Sequence, residues 1–252
     1  MGKYSYERYD RQIRLAEIGI AGQEKLKHAK VLVIGAGGLG SPAIMYLSGA
    51  GVGTIGIVDS DIVSITNVHR QIIHPEKNAG INKAASASEF IKANNSDVQI
   101  NIHECLLTEE NAVEIISQYD FIIDAVDNFE TKFLINDTCV YLKKAFCYAG
   151  VIQMHGQVMT YVPDMGACMR CVFEDIPEDG LVEKCVTVGV LGPVCGIIGC
   201  IEAVEAIKFI TGIGNLLIGR MFIFDALNMN CRIAKFSKPS RTCKACGEIN
   251  NS

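Results

Sequence analysis

The chain has 252 residues, of which 49% are hydrophobic and 20% are charged, and its formal net charge is −5. This composition predicts a folded chain with a large core and excludes a disordered protein. The negative charge and the lack of a lysine- and arginine-rich block argue against broad electrostatic binding of nucleic acid. The longest apolar run, residues 186–201, is short and interrupted by glycines and Pro193, so we predict no membrane span.

Cysteine usage indicates the cellular compartment. The chain contains 11 cysteines, and its first ten residues are polar and rich in tyrosine, unlike a secretory signal peptide. Free thiols in such number are typical of a reducing environment. We therefore expect a cytoplasmic protein.

Strands and helices are predicted to alternate along the first 150 residues. Residues 4–28 have apolar residues at helical spacing, with a break at the glycine-containing segment 19–22. The strands that follow are predicted at 30–35, 54–59, 98–103, 121–124 and 145–149, and the helices at 46–50, 83–93, 109–117 and 129–142. This alternation predicts an α/β fold with a Rossmann-like, doubly wound, mostly parallel sheet.

The pattern changes after Gly150. Strands are predicted at 157–162, 221–225 and 231–236, joined by turns, with one helix at 191–210. We expect these strands to extend the sheet in antiparallel fashion. No linker or internal repeat is evident, so we predict one continuous domain over residues 1–252. It comprises an N-terminal helical segment (1–28), a nucleotide-binding half (30–150) and a second half (151–247).

A glycine-rich turn follows the first predicted strand. The run Gly35-Ala-Gly37-Gly38-Leu-Gly40 fits the pattern G-x-G-x-x-G between a strand and a helix. Such glycines permit a tight turn and a close approach of a nucleotide to the backbone. Asp59 ends the next strand, where a carboxylate can bind ribose hydroxyls. Alone, these features indicate a nucleotide and favour an NAD-dependent oxidoreductase; a turn needed only for packing is the other alternative.

The loop after Asp59 is polar and without period over residues 60–81. Long irregular connections in compact domains are usually functional. Arg70 in this loop and Lys83 just beyond it can neutralise phosphate charge that grows as pyrophosphate leaves, whereas hydride transfer has little need of such cations. His69 and His74 have no evident partner in the sequence and are predicted to be bystanders.

An acidic residue follows the strand at 121–124. Asp127 can hold a magnesium ion that bridges phosphates. Asn128 comes directly after it. The alternative is that Asp127 only caps the helix that begins at Phe129.

Two Cys-x-x-Cys pairs lie far apart in the chain, Cys168 with Cys171 and Cys243 with Cys246. Each pair brings two thiolates onto one tight turn. Four thiolates suit a closed, tetrahedral, structural zinc site. We therefore predict that Zn²⁺ joins the C-terminal tail to the middle of the chain.

Taken in this order, these motifs resemble the ThiF/MoeB/HesA adenylyltransferases of the ubiquitin-activating enzyme superfamily, from about Arg8 to Gly247. The resemblance implies ATP- and Mg²⁺-dependent adenylation of the C-terminal glycine carboxylate of a ubiquitin-like sulfur-carrier protein ending in Gly-Gly. Pyrophosphate is released, and the carrier (of the ThiS or MoaD type) then serves thiamin or molybdopterin biosynthesis. The second half of the chain is implied to bind the carrier.

The resemblance also implies roles for individual residues. Arg11 resembles an arginine that reaches into the ATP site of the partner subunit, which implies a homodimer. Arg70, Lys83 and Asp127 are implied to be catalytic, together with Arg11. The implied nucleotide-binding set is Gly35, Gly37, Gly38, Gly40, Asp59, Asp61, Thr66, Asn67, Arg70, Gln71, Lys83, Asp127 and Asn128.

Cys185 stands apart from the two cysteine pairs. In the family, the matching cysteine lies on a loop that crosses the active site, and some members use it in a thioester or persulfide intermediate. Lys184 beside it can raise the thiolate fraction. No further domain is expected after Cys246, so sulfur is expected from a separate donor protein. Activation of a peptide by the same chemistry and a non-catalytic, zinc-stabilised nucleotide sensor are the remaining alternatives.

Overall fold

A computed structural model describes residues 7–176, 185–236 and 242–247, with only the backbone described at 185 and 186. In chain order, the elements are α1 (Asp10–Ile13), α2 (Gly19–His28), β1 (Lys30–Ile34), α3 (Gly40–Ala50), β2 (Thr54–Val58), a 3₁₀ turn (Glu76–Asn78), α4 (Lys83–Asn94), β3 (Gln99–His103), α5 (Ala112–Ser117), β4 (Phe121–Asp124), α6 (Phe129–Tyr141), β5 (Ala145–Ile152), β6 (His155–Tyr161), α7 (Met169–Val172), α8 (Cys185–Val188), α9 (Gly192–Thr211), β7 (Arg220–Asp225) and β8 (Asn230–Lys235).

The strands form one eight-stranded sheet in the order β3-β2-β1-β4-β5-β6-β7-β8. The five strands from β3 to β5 are parallel, and β5 to β8 pair antiparallel. The predicted α/β fold, a mostly parallel sheet with an antiparallel extension, is confirmed. Strand β5 runs three residues further than predicted, to Ile152, because it continues into a hairpin with β6.

Helices cover both faces of the sheet. Successive residues of β1 point to opposite faces: Val33 packs with α3, α4 and α9, whereas Leu32 packs with α5 and α6. The long helix α9 is predominantly apolar, yet it also buries Glu202 and Glu205. Among the described residues, no helix has the length and apolar character needed to cross a membrane.

Helices α2 and α3 begin earlier than the sequence indicates, and α5 begins later. The N-terminal break lies at residues 14–18, so the prediction at 19–22 is wrong: Gly19 starts α2, and the helix continues through Gly22. A β-carbon at Gly22 would lie 3.0 Å from Cγ2 of Ile18, which is tighter than ordinary van der Waals contact, and 3.5 Å from a methyl group of Thr211 on α9. Helix α5 begins at Ala112, after a turn closed by the side chain of Asn111. Helix α3 already begins at Gly40.

Candidate active site

A cavity of about 530 Å³ opens at the carboxyl ends of the parallel strands. Its wall includes the turn between β1 and α3, the loop after β2, and the first residues of α4 and α6. Ligands of open α/β sheets bind at this edge, where neighbouring helices lie on opposite faces. The cavity is therefore the candidate active site.

The four glycines of the turn divide into two kinds. Gly35 has a left-handed φ of 97°, and a β-carbon at Gly40 would lie only 1.9 Å from the carbonyl oxygen of Gly35. These two glycines allow the tight strand-to-helix turn. Gly37 and Gly38 line the cavity, and the approach of a nucleotide to their backbone stays a prediction.

Asp59 connects the loop after β2 to the glycine-rich turn. One carboxylate oxygen accepts the backbone N–H of Ala36 at 2.7 Å, and the other accepts the N–H of Asp61 at 2.9 Å. Burial raises the pKa of Asp59, and these two backbone hydrogen bonds oppose that shift. The carboxylate lines the cavity, which agrees with the predicted contact to ribose but does not test it.

Lys83 is the first residue of α4 and is buried at the cavity wall. Its Nζ lies 2.8 Å from a carboxylate oxygen of the exposed Asp61. The side chain of Asn82 accepts the N–H groups of Ala84 and Ala85, which fixes the helix start that carries the lysine. Asp61 was predicted to bind the nucleotide; it also lines the cavity, where it neutralises Lys83.

Asp127 and Asn128 have different positions in the loop before α6. Asn128 caps the helix, since its side-chain oxygen accepts the N–H of Thr131 at 2.8 Å. The alternative in which Asp127 is the cap is therefore wrong. The Asp127 carboxylate lines the cavity, is exposed, and has no hydrogen bond or ion pair with any residue that the structure describes. An unengaged carboxylate suits Mg²⁺, which prefers oxygen ligands, and the magnesium role of Asp127 stays a prediction.

A buried ion pair lies beneath this part of the cavity and was not predicted. Lys132 in α6 donates to Asp124 at 3.0 Å and to the carbonyl of Ala149 at 2.6 Å, and its Nζ lies 4.9 Å from the ring centre of Tyr148. Burial raises the pKa of Asp124, and Lys132 opposes that shift. The sequence does show a lysine within the apolar pattern of α6, which could have indicated a buried charge. Its partners lie on other elements, so the sequence did not show the ion pair.

His74 holds the glycine-rich turn in place and is not the bystander that was predicted. It is buried, with Nε2 at 2.8 Å from the carbonyl oxygen of Ala36 and Nδ1 at 3.0 Å from the hydroxyl of Ser86. Because a carbonyl oxygen only accepts, Nε2 carries the proton and the hydroxyl of Ser86 donates to Nδ1. Burial lowers the pKa of His74 and so favours this neutral form.

The cavity continues between β5, β6 and β7, away from the glycine-rich turn. Its wall there contains Tyr148, Gly150, Gln157 and Ile223, and His155 lies at this end. Gln157 donates to the hydroxyl of Tyr148 at 2.9 Å, and Gly150 leaves space above this pair. The cavity therefore extends beyond the glycine-rich turn to a second region beside β5, β6 and β7.

The four cysteines predicted to bind zinc come together. Their sulfur atoms lie within 4.8 Å of one another, with Cys171 and Cys246 3.3 Å apart and Cys168 and Cys243 3.6 Å apart. A tetrahedral zinc–thiolate site places its sulfur atoms about 3.8 Å apart, so the cluster suits the ion. Burial raises the pKa of the Cys168 thiol, so zinc must displace a proton there.

Other predicted site residues do not line the cavity. Gly40 serves the turn, Thr66 and Asn67 lie behind Arg70, and Arg11 is exposed on α1. Cys185 begins α8, but its side chain lies outside the described residues. The roles given to Arg11 and Cys185 remain predictions. The predicted cavity residues that do lie together are Gly35, Gly37, Gly38, Asp59, Asp61, Arg70, Gln71, Lys83, Asp127 and Asn128.

Known proteins resemble this chain over most of its length. A sequence model of the ThiF family matches residues 9–245. The protein named "Adenylyltransferase and sulfurtransferase MOCS3" is 45% identical in Culex quinquefasciatus, over 96% of this chain and 55% of that protein. Its namesake in Dictyostelium discoideum is 43% identical, over 96% of this chain and 57% of that protein. The chain thus spans little more than half the length of these relatives.

The fold also matches solved structures. Escherichia coli MccB, crystallised with ATP, superimposes with a TM-score of 0.85 over 98% of this chain and 75% of MccB. The two sequences are 21% identical, so this likeness concerns the fold alone.

Proposed function

Since the chain belongs to the ThiF family, we propose that it adenylates the C-terminal glycine carboxylate of a ubiquitin-like sulfur-carrier protein. ATP reacts as its Mg²⁺ complex: the AMP group is joined to the carboxylate, and pyrophosphate is released. One observation carries the proposal: a single cavity joins the glycine-rich turn, Arg70, Lys83 and Asp127 to a second compartment between β5, β6 and β7.

The first compartment suits a triphosphate. Gly37 and Gly38 offer backbone to the nucleotide, and Asp59 is the proposed partner of the ribose. Arg70 and Lys83 supply positive charge where pyrophosphate leaves. A triphosphate brings more negative charge than the lone Asp61 carboxylate, so it competes for Lys83. Asp127 is the residue that would hold Mg²⁺, and the ion would neutralise charge on the phosphates.

The second compartment suits the end of an extended polypeptide. A chain terminus that enters between Gly150, His155 and Ile223 directs its carboxylate toward the phosphate end of the cavity. The carboxylate itself attacks the α-phosphorus, so no protein nucleophile is needed. The enzyme contributes orientation and cations, which overcome the repulsion between two anions. Glycines at the terminus reduce the width of the entering chain.

A homodimer is part of the proposal, because Arg11 is exposed on α1 and does not line the cavity of its own chain. After adenylation, the thiolate of Cys185 is proposed to attack the carbonyl carbon of the acyl adenylate, forming a thioester and releasing AMP. A separate protein is proposed to donate the sulfur. The four-cysteine cluster is proposed to hold a structural Zn²⁺.

Exchange of radiolabelled pyrophosphate into ATP tests the proposal. Purified carriers of the ThiS and MoaD types are compared with the same carriers lacking the last glycine and with a short peptide of the same C-terminal sequence. Exchange that occurs only with an intact carrier supports the proposal, and the carrier that supports exchange shows whether the ThiS or the MoaD type is the substrate. Exchange with the peptide alone favours peptide activation, and binding of NAD without binding of ATP favours an oxidoreductase.

Mass spectrometry of the same reactions examines the second step. A carrier adduct on the enzyme that is lost in Cys185→Ala, while exchange persists, supports the thioester. Exchange without any adduct at equimolar enzyme and carrier contradicts it.

A further inference from the structure

Three cations of the described chain line the cavity, and Arg70 differs from the other two. Lys83 pairs with Asp61, and Lys132 pairs with Asp124. Among the described residues, no carboxylate pairs with Arg70. Its full positive charge is therefore available to a phosphate.

The acceptors that hold the Arg70 guanidinium are all neutral. Nη1 donates to Nε2 of His69 at 2.9 Å and, more weakly, to the carbonyl of Thr66 at 3.4 Å; Nη2 donates to the side-chain oxygen of Asn67 at 3.1 Å. A guanidinium carries five N–H groups, so two remain for a ligand. Of these three acceptors, only the imidazole of His69 can bind a further proton and become a cation.

The hydrogen bond fixes the state of the His69 ring. Because a guanidinium only donates, Nε2 must be unprotonated, and the proton of the neutral ring lies on Nδ1. Protonation of Nε2 removes the acceptor and places two cations 2.9 Å apart. Arg70 is the charged group on the loop that faces the ring, and the start of α9, which packs against the backbone of His69 through Gly192, has no acidic residue in its first turn.

We propose that His69 is a positioning residue: its neutral imidazole holds Arg70 toward the phosphates of ATP, and its protonation releases Arg70. His69 is exposed and does not line the cavity, so it acts on a ligand through Arg70. The inference rests on the proposed function, because it takes the ligand of Arg70 to be ATP.

The test uses the 252-residue chain without a carrier. Calorimetry gives the Kd of a non-hydrolysable ATP analogue with Mg²⁺ between pH 5.5 and 8.5 for the wild type, His69→Gln and His69→Ala. Glutamine keeps a neutral acceptor that cannot be protonated. His28→Gln, which changes an exposed histidine on α2, is the control. Protonation of the analogue and of the other histidines affects every variant in the same way. It therefore cancels when the Kd of a variant is divided by the Kd of the wild type at the same pH.

We expect the wild type and His69→Gln to bind alike at pH 8, with the wild type about three- to tenfold weaker than His69→Gln at pH 5.5. His69→Ala should bind about three- to tenfold more weakly than the wild type at pH 8 and no more weakly at pH 5.5. In an Arg70→Gln background, His69→Ala should have no further effect.

Equal pH dependence of the Kd in the wild type and His69→Gln would overturn the role of His69, and so would a wild-type Kd in His69→Ala at pH 8. Neither result would affect the proposed ATP site. Failure of every variant to bind the analogue at every pH would overturn the proposed ATP site, and this inference with it.

Discussion

Arg170 and Asp137 form a bidentate ion pair, with Nε 2.6 Å from Oδ1 and Nη2 2.7 Å from Oδ2. Arg170 lies inside the first Cys-x-x-Cys turn, and Asp137 lies on α6. The N–H of Met169 also donates to Asn136, so two contacts attach the cysteine turn to α6. The start of this helix borders the cavity at Asn128 and Phe129. The cysteine cluster therefore supports a helix of the candidate active site.

The first prediction concerns this ion pair. Arg170→Lys keeps the charge but loses the planar pair of donors and the stacking over Phe133, where the guanidinium carbon lies 4.5 Å from the ring centre. We expect a loss of about 1 kcal/mol in the free energy of unfolding, measured in urea with zinc present, since Asp137 is partly exposed. Arg14→Lys, at the exposed pair with Asp10, is the control and should have a smaller effect. Equal losses of unfolding free energy in the two variants would show that the Arg170–Asp137 pair stabilises the fold no more than an exposed ion pair does.

The second prediction concerns the cysteine cluster. Cys243→Ser should abolish the bound zinc measured by elemental analysis, because it removes one of four ligands. Removing zinc from the wild type with a chelator should lower the free energy of unfolding by about 3–4 kcal/mol, if free zinc stands 100 to 1,000 times above its Kd.

Cys231→Ser is the matched control for the cluster, since this exposed thiol on β8 lies outside it. It should leave zinc content and stability unchanged. Zinc-free wild-type protein with four reactive thiols and undiminished stability would contradict the structural role of the metal, while leaving adenylation unaffected.

The third prediction separates two neighbouring residues. Asp127→Ala should lower the rate of ATP–pyrophosphate exchange by about a hundredfold or more, because it removes the proposed Mg²⁺ ligand. Its stability should be unchanged, since the carboxylate has no partner among the described residues. Asn128→Ala removes the α6 cap and should cost about 1 kcal/mol of stability. Full exchange activity in Asp127→Ala would exclude its role in magnesium binding.

The difference between Asp127 and Asn128 illustrates what sequence patterns can predict. The G-x-G-x-x-G turn, the strand ends and the paired cysteines are local motifs with their own spacing. The cavity contains Gly35, Gly37, Gly38, Asp59 and Asp127 from the first two, and the cysteines come together in a separate cluster. Which of two adjacent polar residues caps a helix depends on backbone direction, which spacing does not specify. The sequence alone therefore did not show which of the two residues caps α6.

Residues whose partners are distant in the chain were missed for a related reason. His74 acts through the carbonyl of Ala36, and Lys132 through the carbonyl of Ala149. A backbone carbonyl has no sequence signature, so neither partner is visible before the chain is folded. The buried Glu202 was hidden likewise, because the periodicity of α9 predicts burial without indicating what a polar residue meets there.

The fourth prediction concerns Glu202, which is fully buried near Asp124 and Lys132. Neither of its carboxyl oxygens has a hydrogen bond with a residue that the structure describes. Burial, and then the nearby charge of Asp124, raise its pKa well above the ordinary value. The folded protein therefore keeps a proton that the unfolded chain releases above a pH of about 4.3. At lower pH, Glu202 is protonated in both the folded and the unfolded protein, so it does not change the free energy of unfolding with pH. As pH rises, the unfolded state is favoured by up to about 1.4 kcal/mol per pH unit until the folded-state pKa is reached.

Glu202→Gln removes this proton while keeping the shape of the side chain. Urea unfolding at pH 5, 6 and 7 should show that the stability of the variant, relative to the wild type, increases at each step. The difference between pH 5 and pH 7 should exceed about 1 kcal/mol. Glu110→Gln, at an exposed glutamate, should show no such trend. A constant offset between Glu202→Gln and the wild type across this range would mean that Glu202 is ionised in the folded protein, so that Lys132 would have to compensate both Glu202 and Asp124.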